Sequence, residues 1–151
     1  MNIFDEFTEI IKHIEEENIR YAIVGGVAMA FYAEPRFTQD IDMLLERNDF
    51  EKARRILERN GYFESTEPWT FKNTPLTLRR FFKAIGNDQM LVDLLVAGNK
   101  KHLEIIENAL FAQGEHGVVR VAAKADIIWL KRQRNSLQDQ ADIERLEDGK
   151  D

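Results

Sequence analysis

The chain has 151 residues, of which 44% are hydrophobic and 32% charged, with a formal net charge of −6 and no cysteine. This length predicts one folded domain over residues 1–151, and the lack of cysteine excludes disulfides, thiolate metal sites and a cysteine nucleophile. The acidic balance argues against nucleic-acid binding by the whole surface. Because the sequence shows neither a membrane-spanning apolar run nor a signal-peptide pattern, we expect a cytoplasmic protein.

The first half of the chain alternates between helical and strand patterns. Apolar residues recur at helical spacing near the N-terminus, and Pro35 is expected to end the second helix, since a residue before proline avoids the helical region. The predicted elements are a helix over residues 2–17, a strand at Tyr21–Val24, a helix from Gly25 to about Tyr32, a strand at Ile41–Leu45 and a helix that is capped by Asn48 or Asp49 and ends at Asn60-Gly61.

The second half predicts a long hairpin followed by further helices. Residues 64–75 contain two prolines and are interpreted as a loop, and Ser136 with Asp139 resembles a capping box. The remaining predicted elements are hairpin arms at Leu76–Ile85 and Gln89–Ala97 around Gly86-Asn87-Asp88, a helix at Lys100–Leu110, a strand at Gly117–Val121, helices at Ala123–Arg134 and Leu137–Leu146, and a frayed tail over 147–151. This order favours an α+β domain with a mixed sheet.

Two acidic residues stand two positions apart in the second predicted strand. Side chains alternate between the faces of a strand, so Asp40 and Asp42 are expected to point the same way, with Ile41 and Met43 directed into the core. Neighbouring carboxylates suit Mg²⁺, which takes oxygen ligands and is shared with substrate phosphates. The alternative is a solvent-exposed strand face that is acidic by chance.

The two glycines between the first strand and the second helix form a candidate phosphate site. Gly25 and Gly26 would let backbone N–H groups approach a phosphate, and a helix N-terminus adds partial positive charge. The alternative is an ordinary tight turn between a strand and a helix. The glycine spacing fits neither a P-loop nor a dinucleotide-binding fingerprint.

A third carboxylate lies in an otherwise apolar strand. Asp93 is flanked by Met90-Leu-Val and Leu-Leu-Val, so its charge would be costly to bury without a partner. Either Asp93 faces a functional site or it is paired with a cation, and the pattern alone leaves both open.

Together these motifs resemble a known family signature. Val24-Gly-Gly, thirteen intervening residues and Asp40-Ile-Asp-Met resemble the signature of the DNA polymerase β-type nucleotidyltransferase superfamily, in which a third acidic residue lies on a later strand. Two further patterns are similar to its small bacterial branch, which includes abortive-infection toxins: Arg36-x-Thr38-x-Asp40 and Lys131 followed by Asp139-x-x-Asp142. The resemblance implies a nucleotidyltransferase-type mixed sheet flanked by helices, with two C-terminal helices.

The resemblance also implies roles for the motif residues. Gly25 and Gly26 would contact the triphosphate of a nucleoside triphosphate, and Asp40 and Asp42 would ligate Mg²⁺ or Mn²⁺. Asp93 would ligate the catalytic metal and help to deprotonate an acceptor hydroxyl. The implied reaction is attack of that hydroxyl on the α-phosphate, with pyrophosphate leaving.

The acceptor and the biological partner remain open at this stage. The hydroxyl could belong to an RNA such as a tRNA, to a protein or to a small molecule. Larger members of the superfamily carry a separate helical domain that holds the acceptor, so here a second copy or a cognate partner chain could hold it. The alternative function is a non-catalytic nucleotide-binding partner in a toxin–antitoxin-like pair.

Cations in the hairpin could supplement this site. If the hairpin turns around Asn87, odd-numbered residues pair with odd-numbered ones, and Arg79 and Lys83 share the face of Asp93, whereas a shift of one residue reverses this. Both side chains are therefore candidate nucleotide contacts. Trp69, on the loop, is expected in the core, with stacking on a nucleobase as the alternative.

Three further residues are candidate nucleotide contacts. Arg36 could reach a phosphate or form a surface salt bridge, and Thr38 could assist it or shape the turn. Lys131 lies near the apolar face of its helix, where its amine could reach the triphosphate. Lys131 could equally pair with Asp139 or Asp142 and tie the last two helices together.

Overall fold

The computed structural model describes residues 3–32, 40–114 and 117–148. Its helices are α1 (Ile3–Glu16), α2 (Gly25–Tyr32), α3 (Phe50–Arg59), α4 (Lys100–Glu107), α5 (Lys124–Arg134) and α6 (Leu137–Asp148). Its strands are β1 (Tyr21–Val24), β2 (Asp40–Leu45), β3 (Phe63–Glu64), β4 (Trp69–Thr70), β5 (Thr77–Ile85), β6 (Asp88–Val96), β7 (Leu110–Gly114) and β8 (Gly117–Val121). None of the helices in these residues has the length and apolar character required to cross a membrane.

The strands form one mixed sheet, as the sequence predicted. Its order is β3-β5-β6-β2-β1-β8-β7, with β4 also pairing to β5. The central strands β6 and β2 are parallel, β2 and β1 are antiparallel, and β1 and β8 are parallel. This arrangement places β2, which carries Asp40 and Asp42, between β1 and β6, where both of its edges are hydrogen-bonded.

Several helix boundaries follow from local sequence. The apolar stripe of α1 is buried at Ile10 and Ile14, and the chain leaves the helix at Asn18, whose φ of 57° is left-handed. The capping box predicted before α6 is confirmed, because Asp139 N donates to Ser136 Oγ at 3.0 Å and Ser136 N donates to Asp139 Oδ2 at 3.1 Å. The expected helix at Gly25–Tyr32 is also confirmed, while the predicted break at Pro35 lies outside the described residues.

The register predicted for the β5–β6 hairpin is wrong by one residue. Ile85 pairs with Asp88, so the loop has two residues, Gly86 and Asn87, and Arg80 pairs with Asp93. Gly86 adopts a positive φ of 59°. A glycine at the first position of a two-residue loop suits the tight hairpin turns that match strand twist, which explains why the loop is shorter than expected.

Two other regions differ from the sequence-based expectation. The segment interpreted as a loop over 64–75 contributes the short strands β3 and β4, which pair with β5. The helix expected to reach Leu110 ends at Glu107, and β7 follows as an edge strand paired with β8. Leu110 and Phe111 are exposed in β7, so the run lacks the buried alternation that identifies a strand in sequence.

The two faces of the sheet are packed differently around β2. Phe81 meets Phe50 of α3 with ring centroids 6.4 Å apart, so α3 covers the face opposite Asp93. On the face that carries Asp42 and Asp93, α5 packs through Ile127 and Leu130 near Leu95. The candidate carboxylates therefore lie on the side of the sheet that α5 partly covers.

Candidate active site

The site begins at the junction between β1 and α2. Gly25 has a φ of 76°, and a Cβ built on it would lie 1.8 Å from Asp42 Oδ2. A side chain at this position is therefore excluded twice, by backbone conformation and by the carboxylate that lies against the glycine. The junction brings the N-terminus of α2, with Gly26 as its second residue, next to the Asp42 side chain.

Asp42 and Asp93 lie side by side on neighbouring parallel strands. The β2–β6 register pairs Asp42 with Asp93, and their side chains share a hydrogen bond. Burial, together with the negative charges of Asp93 and Asp40, raises the pKa of Asp42 from 3.8 to about 7, against the opposing charge of Arg134. Two carboxylates this close need a proton or a cation between them at neutral pH.

Asp40 extends this acidic group by one step along β2. It pairs with Leu91 and lies two residues before Asp42, on the same face of the strand. Within residues 3–32, 40–114 and 117–148, no three acidic or histidine side chains converge as a preformed metal cage. The chemistry nevertheless fits a hard divalent cation, since the donors are all carboxylate oxygens and carry mutually repelling charge.

Arg80 contacts Asp93 from the other side. It donates from Nε to Asp93 Oδ1 and from Nη2 to Asp93 Oδ2, both at 2.8 Å. Hydrogen bonding to Asp93 and the charges of Asp40 and Asp42 raise the pKa of Arg80 further above its ordinary value. We call Asp40, Asp42, Asp93 and Arg80 the sheet cluster.

Arg79 and Lys83 are not brought to these carboxylates, which corrects the expectation from the sequence. Both point to the opposite face, because the two-residue hairpin loop pairs Arg80 rather than Arg79 with Asp93. Arg79 bonds to Glu64 and Lys83 Nζ lies 3.1 Å from Glu6 Oε1. These pairs connect β5 with its neighbouring strand β3 and with α1.

Lys131 belongs to a buried group of charges between α5 and α6. Its Nζ lies 3.0 Å from Asp142 Oδ2 and 3.9 Å from Asp139 Oδ1, and Arg134 Nη2 donates to Asp139 Oδ1 at 2.6 Å. We call Lys131, Arg134, Asp139 and Asp142 the helix cluster. Lys131 and Arg134 also line a small pocket with Gly25, so the helix cluster borders the same junction as Asp42.

Trp69 departs from the expected core position. Its side chain is 53% exposed, and its ring packs against Phe71 with the centroids 4.4 Å apart and the ring planes tilted by 57°. The Phe71 ring in turn lies 5.9 Å from the guanidinium carbon of Arg134. An accessible aromatic pair is thereby placed beside the helix cluster.

The sequence as a whole matches a family model described as an uncharacterised nucleotidyltransferase, over residues 1–146. The chain belongs to this nucleotidyltransferase family. No curated protein sequence gives a significant match. Membership confirms the resemblance on which the sequence-based interpretation of the glycine and aspartate motifs rested.

Solved structures show the same fold for this nucleotidyltransferase. The lincosamide antibiotic adenylyltransferase LnuA, solved with lincomycin, is 14% identical with a TM-score of 0.65, over 95% of this chain and 96% of that one. A putative nucleotidyltransferase from Thermotoga maritima is 11% identical with a TM-score of 0.63, over 95% and 88%. ANT(2″)-Ia, solved with adenylyl-2″-tobramycin, is 17% identical with a TM-score of 0.59, over 94% and 86%.

The structure of this nucleotidyltransferase places two further cations, Arg80 and Arg134, at the site. Neither was among the site residues predicted from the sequence. Arg80 was obscured because Arg79 precedes it, and only the hairpin register distinguishes them. Arg134 lies three residues after Lys131, which puts both on one side of α5. That helical spacing was the signal that could have identified it. The candidates Arg36 and Thr38 lie outside the described residues.

Proposed function

We propose that this nucleotidyltransferase moves a nucleoside monophosphate from a nucleoside triphosphate to a hydroxyl acceptor with the help of a divalent metal. The acceptor oxygen bonds to the α-phosphorus, and the bond from that phosphorus to the bridging oxygen of the β-phosphate breaks. The electron pair leaves with pyrophosphate, and the hydroxyl proton passes to a carboxylate of the site. Asp93 is the residue to which we assign that proton.

One observation carries the proposal. Asp42 lies beside Asp93 across the β2–β6 register and against the Cα of Gly25, so a carboxylate pair and a helix N-terminus meet at one point. Like-charged side chains are costly to hold together and buried. A site that binds a cation and an anionic phosphate gives this arrangement a purpose.

Asp40, Asp42 and Asp93 are the residues that would hold Mg²⁺ or Mn²⁺. Such a metal, when bound, neutralises the negative charge that develops on phosphate oxygens and lowers the pKa of a bound hydroxyl. The raised pKa of Asp42 means that the site carries a proton near neutral pH. A cation would replace that proton.

Other parts of the chain would bind the triphosphate. The N-terminus of α2 at Gly25 and Gly26 offers backbone N–H groups and partial positive charge to a phosphate. Lys131 and Arg134, which line the adjacent pocket, add positive potential there. Trp69, whose exposed ring packs against Phe71, offers a surface on which a nucleobase could stack.

We consider three classes of acceptor, namely a hydroxyl of a small molecule, of a tRNA or of a protein. The small-molecule class enters because LnuA was solved with lincomycin and ANT(2″)-Ia with adenylyl-2″-tobramycin. A second copy of this chain or a cognate partner would complete the acceptor site if the acceptor is a macromolecule.

The test is label transfer from each α-³²P nucleoside triphosphate in the presence of Mg²⁺. The acceptors would be tobramycin, lincomycin, total tRNA and cell lysate. We expect labelled product and pyrophosphate with the unmodified protein, and a loss of about 100-fold or more with Asp42→Asn. Asp88→Asn is the matched control, because Asp88 is an exposed aspartate at the start of the neighbouring strand.

Two results would change the conclusion. Equal transfer by the Asp42→Asn variant and the unmodified protein would contradict the assignment of the site. No transfer to any acceptor, together with thermal stabilisation by a nucleotide that depends on Asp42, would favour the nucleotide-binding partner protein instead.

A further inference from the structure

Arg80 holds both oxygens of Asp93. The two hydrogen bonds are each 2.8 Å long and form a parallel fork, the strongest geometry between a guanidinium and a carboxylate. The Asp93 side chain is only 5% exposed, whereas that of Arg80 is 36% exposed. The buried partner is thus fixed by the strand, and the accessible partner is the one that can move.

This pair conflicts with the role proposed for Asp93. A carboxylate whose two oxygens each accept a hydrogen bond from one guanidinium has less electron density available for a cation. A metal that binds Asp93 must also face the positive charge of Arg80 at close range. Asp93 can therefore join a metal site fully only if Arg80 loosens its hold.

A nucleotide phosphate bound near Gly25 would give Arg80 a second hydrogen-bonding partner. Arg80 lies close enough to Asp40 and Asp42, as well as to Asp93, to be attracted by their charges, and a guanidinium keeps its own charge wherever it moves in the site. The planar fork that fits a carboxylate also fits a phosphate. The triphosphate proposed to bind at Gly25 would bring phosphate oxygens into this group of charges.

We propose that Arg80 is an exchange ligand, which holds Asp93 in the metal-free protein and moves its hydrogen bonds to a nucleotide phosphate when metal takes Asp93. The inference rests on the proposed function. Arg80 is a positioning residue for Asp93 and a phosphate contact in turn. Metal and nucleotide then each favour the same arrangement of Arg80, so each must strengthen the binding of the other.

The test measures Mn²⁺ binding by electron paramagnetic resonance, with and without an α,β-methylene nucleoside triphosphate that cannot be cleaved. For the unmodified protein we expect Mn²⁺ to bind at least about 5-fold more tightly when the analogue is present. For Arg80→Gln we expect Mn²⁺ alone to bind about 5-fold more tightly than to the unmodified protein, and the analogue to add little.

Two variants separate exchange from a structural role. Arg80→Lys keeps the charge but loses the fork, so we expect intermediate coupling and a folded protein even if Arg80→Gln unfolds. Arg79→Gln removes the neighbouring arginine that bonds to Glu64 on the opposite face. We expect Arg79→Gln to leave both Mn²⁺ affinity and its coupling to the analogue unchanged.

The exchange is overturned if Arg80→Gln, or Arg80→Lys where Arg80→Gln is unfolded, keeps the full coupling of the unmodified protein. It is also overturned if Mn²⁺ alone binds these variants no more tightly than the unmodified protein. The proposed function fails separately: Asp42→Asn would then leave Mn²⁺ binding unchanged, or no Mn²⁺ would bind even with the analogue present, and the exchange would fall with it.

Discussion

The sheet cluster and the helix cluster are built from the same residue types but are balanced differently. The helix cluster matches two carboxylates with two cations, and all of its ion pairs join α5 and α6 or lie within the turn between them. In the sheet cluster two carboxylates, Asp42 and Asp93, lie side by side, and the pKa of Asp42 is raised to about 7. The ion pairs of the helix cluster are explained by the packing of α5 on α6, whereas the repulsion between Asp42 and Asp93 is a cost that function explains.

The largest expected effect comes from breaking the balance of the helix cluster. Lys131→Met removes the cation that lies 3.0 Å from the buried Asp142, so we expect a loss of about 3–5 kcal/mol in the free energy of unfolding, measured in urea. Lys101→Met is the control, because the Lys101–Asp126 pair at 3.3 Å has a partly exposed lysine. We expect it to cost less than about 1 kcal/mol, and equal losses would show that burial does not distinguish the pairs.

A second comparison tests the contact between Gly25 and Asp42. Gly25→Ala and Gly86→Ala both place alanine at a positive φ, which costs about 1–2 kcal/mol. Gly86 has no atom within 4 Å of its added Cβ, whereas Gly25 meets Asp42. We therefore expect Gly25→Ala to lose about 1–3 kcal/mol more than Gly86→Ala in urea unfolding, and to lose transfer activity as well.

Similar losses for the two glycine variants would mean that Asp42 moves aside at little cost. The carboxylate would then not be held against the junction, and the sheet cluster would be less rigid than its hydrogen bonds indicate.

Local pattern was sufficient to predict the face that Asp40 and Asp42 share, the start of α2 at Gly25 and the capping box at Ser136. Each of these depends on residues within a few positions of one another. Whether Arg79 or Arg80 lies beside Asp93 depends instead on the hairpin loop length, to within one residue. The sequence of two adjacent arginines does not reveal that length. The contact that demands glycine at position 25 forms between the end of β1 and the neighbouring strand β2, so no local pattern contains it.

The raised pKa of Asp42 in the sheet cluster predicts a pH dependence of stability without metal. Between pH 3.8 and about 7, folded Asp42 retains a proton that the unfolded chain releases, so raising the pH favours unfolding. Asp42→Asn removes this titration, and its amide can still donate to Asp93. In EDTA we expect the variant to match the unmodified protein near pH 4 and to exceed it by up to about 4 kcal/mol at pH 8.

Urea unfolding across this pH range provides the measurement, with the exposed Asp88→Asn as control. A variant that is less stable than the unmodified protein at pH 8 would show that ionised Asp42 is stabilised by the fold. The repulsion that Asp93 exerts on ionised Asp42 would then be offset by other groups of the fold.

The smallest expected effect concerns Arg134, which connects the two clusters. Its charge lowers the pKa of Asp42. For Asp139, burial alone would raise the pKa, but the hydrogen bond and charge of Arg134 together with the hydrogen bonds from Ser136 outweigh it and leave the pKa lowered. Asp139 keeps a lowered pKa, so it contributes stability above pH 3.8 and loses that contribution only as the pH falls further. In the unmodified protein that contribution is constant above this range, so the slope between pH 5 and 8 reflects Asp42 and not Asp139.

We therefore expect Arg134→Gln to lower stability by a constant amount and to move the Asp42-dependent fall to higher pH. Arg132 lies on the same helix as Arg134 and forms an exposed pair with Glu147 of α6. We expect Arg132→Gln to leave the slope unchanged because this pair lies apart from both clusters. If the Arg134→Gln profile only shifts downward in parallel, the clusters are electrostatically separate. The repulsion between Asp42 and Asp93 would then have to be offset within the sheet, by Arg80 and the ligands that bind there.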